Sequence, residues 1–221
     1  MTSRIVETIK VVLKQSKEDN EVTNISSDDA KLLIQFGFPN STPFVIDRSQ
    51  RINLAFNAVT HGASFSEIVD LLTWKDFEGF VAGILSENNY RCVESFRRRG
   101  TALIQGMEID VVGVKGRTIV SVDAKMWGIR GGKTSALKNA AEKQKNRTSE
   151  LASELDGLTK KLSLLPDGVY TIYPTIVTWL VEEVELHEGV PVVPITKWNS
   201  FILDLEQYED IIVTYSGQLK S

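Results

Sequence analysis

The chain of 221 residues is 42% apolar and 24% charged, enough to bury a real core in one elaborated domain or two small ones. Its single cysteine, Cys92, rules out an internal disulfide and a zinc site built from cysteine pairs, and the formal net charge of -4 argues against a protein that coats nucleic acid indiscriminately. The N-terminus lacks the apolar stretch of a signal peptide and no apolar run approaches the roughly 20 residues of a membrane helix, so no membrane partner is expected and the expected location is the cytoplasm.

Ile5, Ile9, Val12 and Leu13 recur at helical spacing and predict a helix over residues 4–14, and a second is predicted over 28–36, ended by Gly37 and Pro39. An extended piece at 43–46 precedes a helix over 49–60, and Ser64 with Glu67 has the spacing of a capping box for a short helix through Leu72. Residues 1–72 thus read as a small helical N-terminal region for packing, dimerisation or a helix-turn-helix-like role, with the main domain over 73–221.

That domain opens on a helix with Thr73 as N-cap and Trp74, Phe77, Val81, Ile84 and Leu85 as its buried stripe. A strand over 90–96, an arginine-rich turn over 97–100 and a strand over 107–114 follow, and Lys115-Gly116 turns the chain into a third strand over 118–125. A glycine-rich loop over 128–132 then leads into a long polar helix over 134–164, stopped by Pro166, Asp167 and Gly168. Extended apolar runs over 169–180 and 190–195 suggest a crossover returning to the same sheet, and Trp198, Phe201, Ile202 and Leu205 mark a closing helix. The expected fold is α/β, a central mixed sheet flanked by helices.

Strand alternation puts Asp123 and Lys125 on one face of the third strand, and folding the hairpin about Lys115-Gly116 brings Asp110 opposite Asp123. The two carboxylates sit among valines and isoleucines, where unpaired charge is costly. Two readings remain open: the pair is neutralised by Lys125 and nearby arginines at a solvated sheet end, or it holds a hard cation. For the second, Mg²⁺ or Mn²⁺ would take carboxylate oxygens, with the Ala124 carbonyl completing the set, and Lys125 would orient the attacking water and stabilise developing negative charge. Arg97, Arg98 and Arg99 form the densest basic cluster and suit phosphate oxygens, and basic residues outnumber acids from Lys125 to Lys161. Trp127 is either a base-stacking platform or core, and His61 and His187 have no partner at catalytic or metal-ligand spacing. Gly131-Gly132-Lys133-Thr134 lacks the earlier glycine of a P-loop, which excludes that mode of nucleotide binding.

Ile109-Asp110, a hairpin, and Asp123-Ala124-Lys125 at the end of an apolar strand resemble the PD-(D/E)xK nuclease core of restriction endonucleases, Mrr-like enzymes and archaeal Holliday-junction resolvases, over residues 73–165. Ile109 replaces the family's common proline, and Asp123 stands where glutamate is more usual. Residues 173–179 and 189–195 look like an archaeal group of restriction-endonuclease-like proteins of unclear role. The resemblance implies a restriction-endonuclease-like core and divalent-metal-dependent hydrolysis of DNA phosphodiesters, with Asp110 and Asp123 as metal ligands, Lys125 as the catalytic lysine and Glu78 as an auxiliary ligand from the preceding helix. It also puts the next helix on the catalytic face, making Lys133, Lys138, Gln144 and Arg147 candidates for phosphate contact. A homodimer would let such an enzyme cut both strands of a duplex. The alternative is a non-catalytic DNA-binding or protein-assembly module on the same scaffold.

Overall fold

The structure, a computed structural model, describes residues 4–100, 106–127 and 132–220. The chain divides into two compact units, Met1–Phe80 and Val81–Ser221. Among the described residues no helix is long and apolar enough to cross a membrane.

In the N-terminal unit, α1 (Arg4–Asp19) buries Val6, Ile9, Val12 and Leu13 completely. A two-residue strand β1 (Glu21–Val22), helix α2 (Ser27–Leu33) and strand β2 (Phe44–Val45) follow, with β1 and β2 antiparallel. Helix α3 (Arg48–Thr60) is closed by an Asp47/Gln50 capping box, and α4 (Phe65–Val69) by the expected Ser64/Glu67 box. Helix α5 (Trp74–Glu87) starts with Thr73 and Asp76 capping each other, the two bonds measuring 2.9 and 3.1 Å.

The division between units falls inside α5, later than the residue 72/73 boundary expected from the sequence. The first turns of α5 are bound to α3: Asp76 pairs with Arg51 and Phe80 stacks on Phe56 at 4.2 Å. Arg51, 1% exposed, is the polar centre of this unit. Its guanidinium donates to Asp76 Oδ2, the Leu13 carbonyl and the Leu71 carbonyl, each at 3.0 Å, and to the Ser16 hydroxyl. Phe77, Val81, Ile84 and Leu85 are buried as expected, whereas Trp74, the first residue of the helix, is 60% exposed, with the Lys75 ammonium over its ring at 4.1 Å.

The C-terminal unit is built on a seven-stranded mixed sheet. Strands β3 (Arg91–Arg98), β4 (Met107–Lys115) and β5 (Thr118–Lys125) form an antiparallel meander. The β4–β5 turn is Gly116-Arg117, one residue later than expected, with Gly116 in the left-handed region at φ 58°. Arg97 and Arg98 belong to β3 itself, since their pairing with Glu108 and Met107 extends the strand past the expected turn.

Helix α6 (Lys133–Ser153) crosses over to β6 (Gly168–Thr178), which lies parallel to β5 along its whole length. Gly132, at φ 74°, precedes the helix; the rest of the glycine-rich loop, residues 128–131, lies outside the described residues. The helix expected to reach residue 164 stops at Ser153 and is followed by the short α7 (Asp156–Thr159). A helix over 134–164 would run about 46 Å, further than the roughly 36 Å an 11-residue strand covers. Breaking it returns Leu155, Leu158 and Leu162 to the core around Phe96, Tyr170 and Leu219.

The two-residue β7 (Leu186–His187) pairs antiparallel with β8 (Val190–Pro194), which is parallel to β6. The closing helix is α8 (Ile195–Leu203), its Trp198 Nε1 donating to the Val81 carbonyl at 3.3 Å. A final strand, β9 (Tyr215–Leu219), not expected from the sequence, pairs antiparallel with the first half of β6. The sheet order is β3-β4-β5-β6-β8-β7, with β9 beside β6. Helix α6 covers the face carrying Ser121 and Asp123, to which Gln144 and Arg147 bond. The end of α5 covers the other face, where Gly113 lets it approach: a β-carbon there would lie 3.0 Å from Leu85.

Candidate active site

The β4–β5 ladder runs from Lys115↔Thr118 to Val111↔Val122 and ends there, while β5 continues to Lys125 paired with β6. Asp110 and Asp123, the next rung, therefore stand where two strands part. The Ala124 N–H, left without a β4 carbonyl, donates instead to Asp110 Oδ2 at 2.9 Å. Since the N–H and C=O of a strand residue point to the same edge, the Ala124 carbonyl also faces the opening.

Asp123 is 2% exposed. Its Oδ2 lies 2.7 Å from Lys125 Nζ and its Oδ1 3.1 Å from Arg147 Nη1. Two carboxylates thus face two cations at the parting of the strands. Burial, and next the negative charge of Asp123, push the Asp110 carboxyl above its ordinary pKa, opposed by the Ala124 N–H, Lys125 and Arg147. Asp110, Asp123 and the Ala124 carbonyl offer oxygen donors at this edge, the donor type that a hard divalent cation takes.

A cavity of about 320 Å³ opens beside Asp123 and Lys125, walled by Trp127 and by Asn139, Lys143 and Arg147 of α6. Lys143 and Arg147 also line a second cavity of about 620 Å³, which extends to Arg97, Arg98 and Arg99. The two make one trough with basic side chains at their junction.

Arg147 is the member of the four α6 candidates that reaches the carboxylates. Gln144 is fully buried and turned to the sheet, donating to the Ser121 carbonyl at 2.7 Å and hydroxyl at 2.9 Å, so it does not present itself to phosphate. Lys133 is held by Glu182 at 2.5 Å, both side chains largely buried. Lys138 is exposed on the α6 face of Glu142 and Lys145, about 100° around the helix from Asn139. Arg97 pairs with its cross-strand neighbour Glu108 at 2.8 Å, and Arg98 with Glu150 and Glu154 at 2.5 and 3.2 Å, which cancels much of that cluster's charge; Arg99 is exposed at the trough. Glu78 belongs to the N-terminal unit, where it is buried and pairs with Lys75 at 2.7 Å. Sequence reading missed Asn139, Lys143 and Asn146. Stepping back from Arg147 by four and by eight along α6 reaches Lys143 and Asn139, the spacing that shares a helix face.

His187 does have a partner: its Nε2 lies 3.2 Å from Glu142 Oε1, and with Glu188 these groups cluster within 4.8 Å. Lys145 already contacts Glu188 at 3.0 Å, so that exposed cluster holds its own cation.

No family model matches the chain. A protein of Archaeoglobus fulgidus described as uncharacterized is 26% identical over 140 residues, covering 62% of this chain and 95% of that relative. Among solved structures, protein VC1899 from Vibrio cholerae aligns with a TM-score of 0.41 at 11% identity over 94% of this chain, which spans about half (51%) of that protein's length. A protein of unknown function, AF1548, aligns with a TM-score of 0.34 at 16% identity, over 61% of this chain and 66% of that one. The chemistry of the chain rests on its own side chains.

Proposed function

We propose that the chain is a divalent-metal-dependent nuclease of the PD-(D/E)xK type that hydrolyses DNA phosphodiester bonds. The observation that carries this reading is the parting of β4 and β5, which directs Asp110, Asp123 and the Ala124 carbonyl to one opening with Lys125 beside them. Asp110 and Asp123 hold Mg²⁺ or Mn²⁺ in this reading, and the ion supplies Lewis-acid polarisation of the phosphate and activation of water. Lys125, 2.7 Å from Asp123, is held by that carboxylate where its ammonium stabilises charge developing on the phosphate and orients the water. Arg147 neutralises the other Asp123 oxygen and offers its remaining guanidinium donors to the trough. The trough, with Lys143 and Arg99, receives the flanking phosphates.

The test is cleavage of labelled single-stranded, duplex and four-way-junction DNA with Mg²⁺ or Mn²⁺, comparing wild type with Asp110→Asn, Asp123→Asn and Lys125→Ala. Metal-dependent cutting by wild type, lost with either aspartate and slowed about 10²- to 10⁴-fold without Lys125, supports the assignment. A second reading, a non-catalytic scaffold, is favoured by the occupation of both Asp123 oxygens by Lys125 and Arg147. Calorimetry that detects no Mg²⁺ or Mn²⁺ binding, together with no cleavage, would select it.

A further inference from the structure

We infer that the trough takes an unpaired strand, with one base stacked on Trp127 beside the phosphate presented to Asp110 and Asp123. The inference deepens the nuclease reading and rests on it for the identity of the polymer. Three observations converge. The first is size: the cavity at Trp127 holds about 320 Å³, equivalent to a cube about 7 Å on a side and near the lower end of small-molecule sites. One nucleotide fits such a space, whereas a duplex, whose major groove alone is about 12 Å wide, does not enter it.

The second is chemistry. The half-buried Trp127 packs against the core cluster of Leu137 and Ala140 and also lines the cavity. It lies two residues past Lys125, whose ammonium sits over the ring 5.8 Å from its centre, so a base that stacks there enters beside that ammonium and the candidate chemistry. In a duplex the base faces are stacked on one another and only base edges, sugar and phosphate are exposed, so the indole can stack on a base only when that base is out of the stack. The third is the α6 wall. Asn139 and Lys143 are exposed, and their side chains make no hydrogen bond or ion pair with other described residues. The amide of Asn139 suits the hydrogen-bonding edge of a base, and Lys143, where the two cavities meet, suits the next phosphate. A base platform, an edge-reading amide and a phosphate cation in succession match the repeat of a single strand.

The experiment measures binding of the full chain in EDTA, so that no strand is cut, to three fluorescein-labelled 12-mers: oligothymidylate, a fully abasic strand and a blunt duplex. Wild type should bind the oligothymidylate about 5- to 150-fold more tightly than the abasic strand, the effect of one stacked base, and more tightly than the duplex. Trp127→Ala should abolish the preference over the abasic strand, and Trp127→Phe should restore most of it. Oligothymidylate should also quench tryptophan emission in wild type and not in Trp127→Phe, a readout that does not depend on the alanine variant folding. Equal affinity of wild type for the thymidylate and abasic strands, tighter binding of the duplex, or quenching that survives Trp127→Phe would overturn the inference. Metal-dependent cleavage of duplex DNA alongside any of those results would leave the nuclease reading standing without it.

Discussion

Asp123 and Arg147 form an ion pair whose halves are unequally exposed, 3% and 34% of their side chains, so removing one or the other should have different consequences. Arg147→Ala leaves a buried carboxylate with Lys125 as its cation. Losing a charge-assisted hydrogen bond to such a group costs about 1.5–3 kcal/mol, which at about 2–4 °C per kcal/mol for a chain of this size lowers the melting temperature by roughly 3–12 °C. Asp123→Asn instead keeps the shape, removes the charge that repels Asp110, and leaves Lys125 and Arg147 exposed enough to hydrate. Its stability should stay within about 1 kcal/mol of wild type. Metal reverses the ranking of the variants. Mg²⁺ at 100 times its dissociation constant stabilises a binding protein by about 2.7 kcal/mol, or roughly 5–11 °C, and this rise should occur in wild type and Arg147→Ala and be absent from Asp123→Asn. Differential scanning fluorimetry with and without Mg²⁺, following the transition of the C-terminal unit, reads both stability changes and all three Mg²⁺ shifts. An Asp123→Asn protein that melts below Arg147→Ala in the absence of Mg²⁺, or one that keeps the full Mg²⁺ shift, would refute the reasoning.

Arg51→Ala leaves Asp76 buried without its cation and should destabilise the N-terminal unit by about 3–5 kcal/mol, measured by urea unfolding, with Asp76→Asn recovering part of the loss in the double variant. The Ser26 hydroxyl, then Thr8 and Arg4, hold the Asp29 carboxyl below its ordinary pKa against the opposing effect of burial, so its contribution is present above the unfolded value of about 3.9 and is lost as pH falls through the folded one. Urea midpoints of wild type and Asp29→Asn should therefore differ at neutral pH and converge as the pH is lowered through the folded pKa. Gly113→Ala sets a β-carbon 3.0 Å from Leu85 and 3.3 Å from Tyr90 and should cost about 1–3 kcal/mol in a thermal melt. Lys143→Ala should weaken DNA binding irrespective of base sequence and reduce the slope of log affinity against log salt by about 1.

The α/β class, the meander, the crossover and the mixed sheet were legible because each leaves a local trace: valine- and isoleucine-rich runs in 107–114 and 118–125, a polar helix between apolar strands, capping residues at 64 and 73. The strand β9 was not, since Tyr-Ser-Gly-Gln-Leu is short and acquires its partner, the first half of β6, from 43 or more residues away. Arg51 was invisible for a related reason. Nothing local distinguishes it from Arg48, and its acceptors come from α1, the segment after α4, and α5. In the site, the meeting of Asp110 and Asp123 follows from hairpin register, but the side chains lining the trough do not. Lys133, Lys138 and Gln144 were selected by residue type, which does not show where a side chain turns; Lys143 and Asn139 line the cavity with Arg147, whereas Gln144, only about 60° around the helix from Arg147, turns into the sheet to bond Ser121.

The parting of β4 from β5 links the stability of the sheet to its chemistry. A continued ladder would satisfy the Ala124 N–H and carbonyl with β4 backbone and leave no polar group for a ligand. By ending one rung earlier, the sheet gives up that pairing, recovers the N–H through Asp110, and leaves the carbonyl and two carboxylates aimed at one place. The arrangement carries like charges in an apolar setting, which Lys125 and Arg147 offset, one at each Asp123 oxygen. A site under that constraint should be improved in stability by the changes that disable it. Asp110→Asn removes the buried charge while keeping an acceptor for Ala124, so it should melt no lower than wild type without metal while losing the metal-dependent rise. That combination distinguishes a metal centre from a pair of aspartates kept for structure, whose loss would lower the melting temperature with or without the ion.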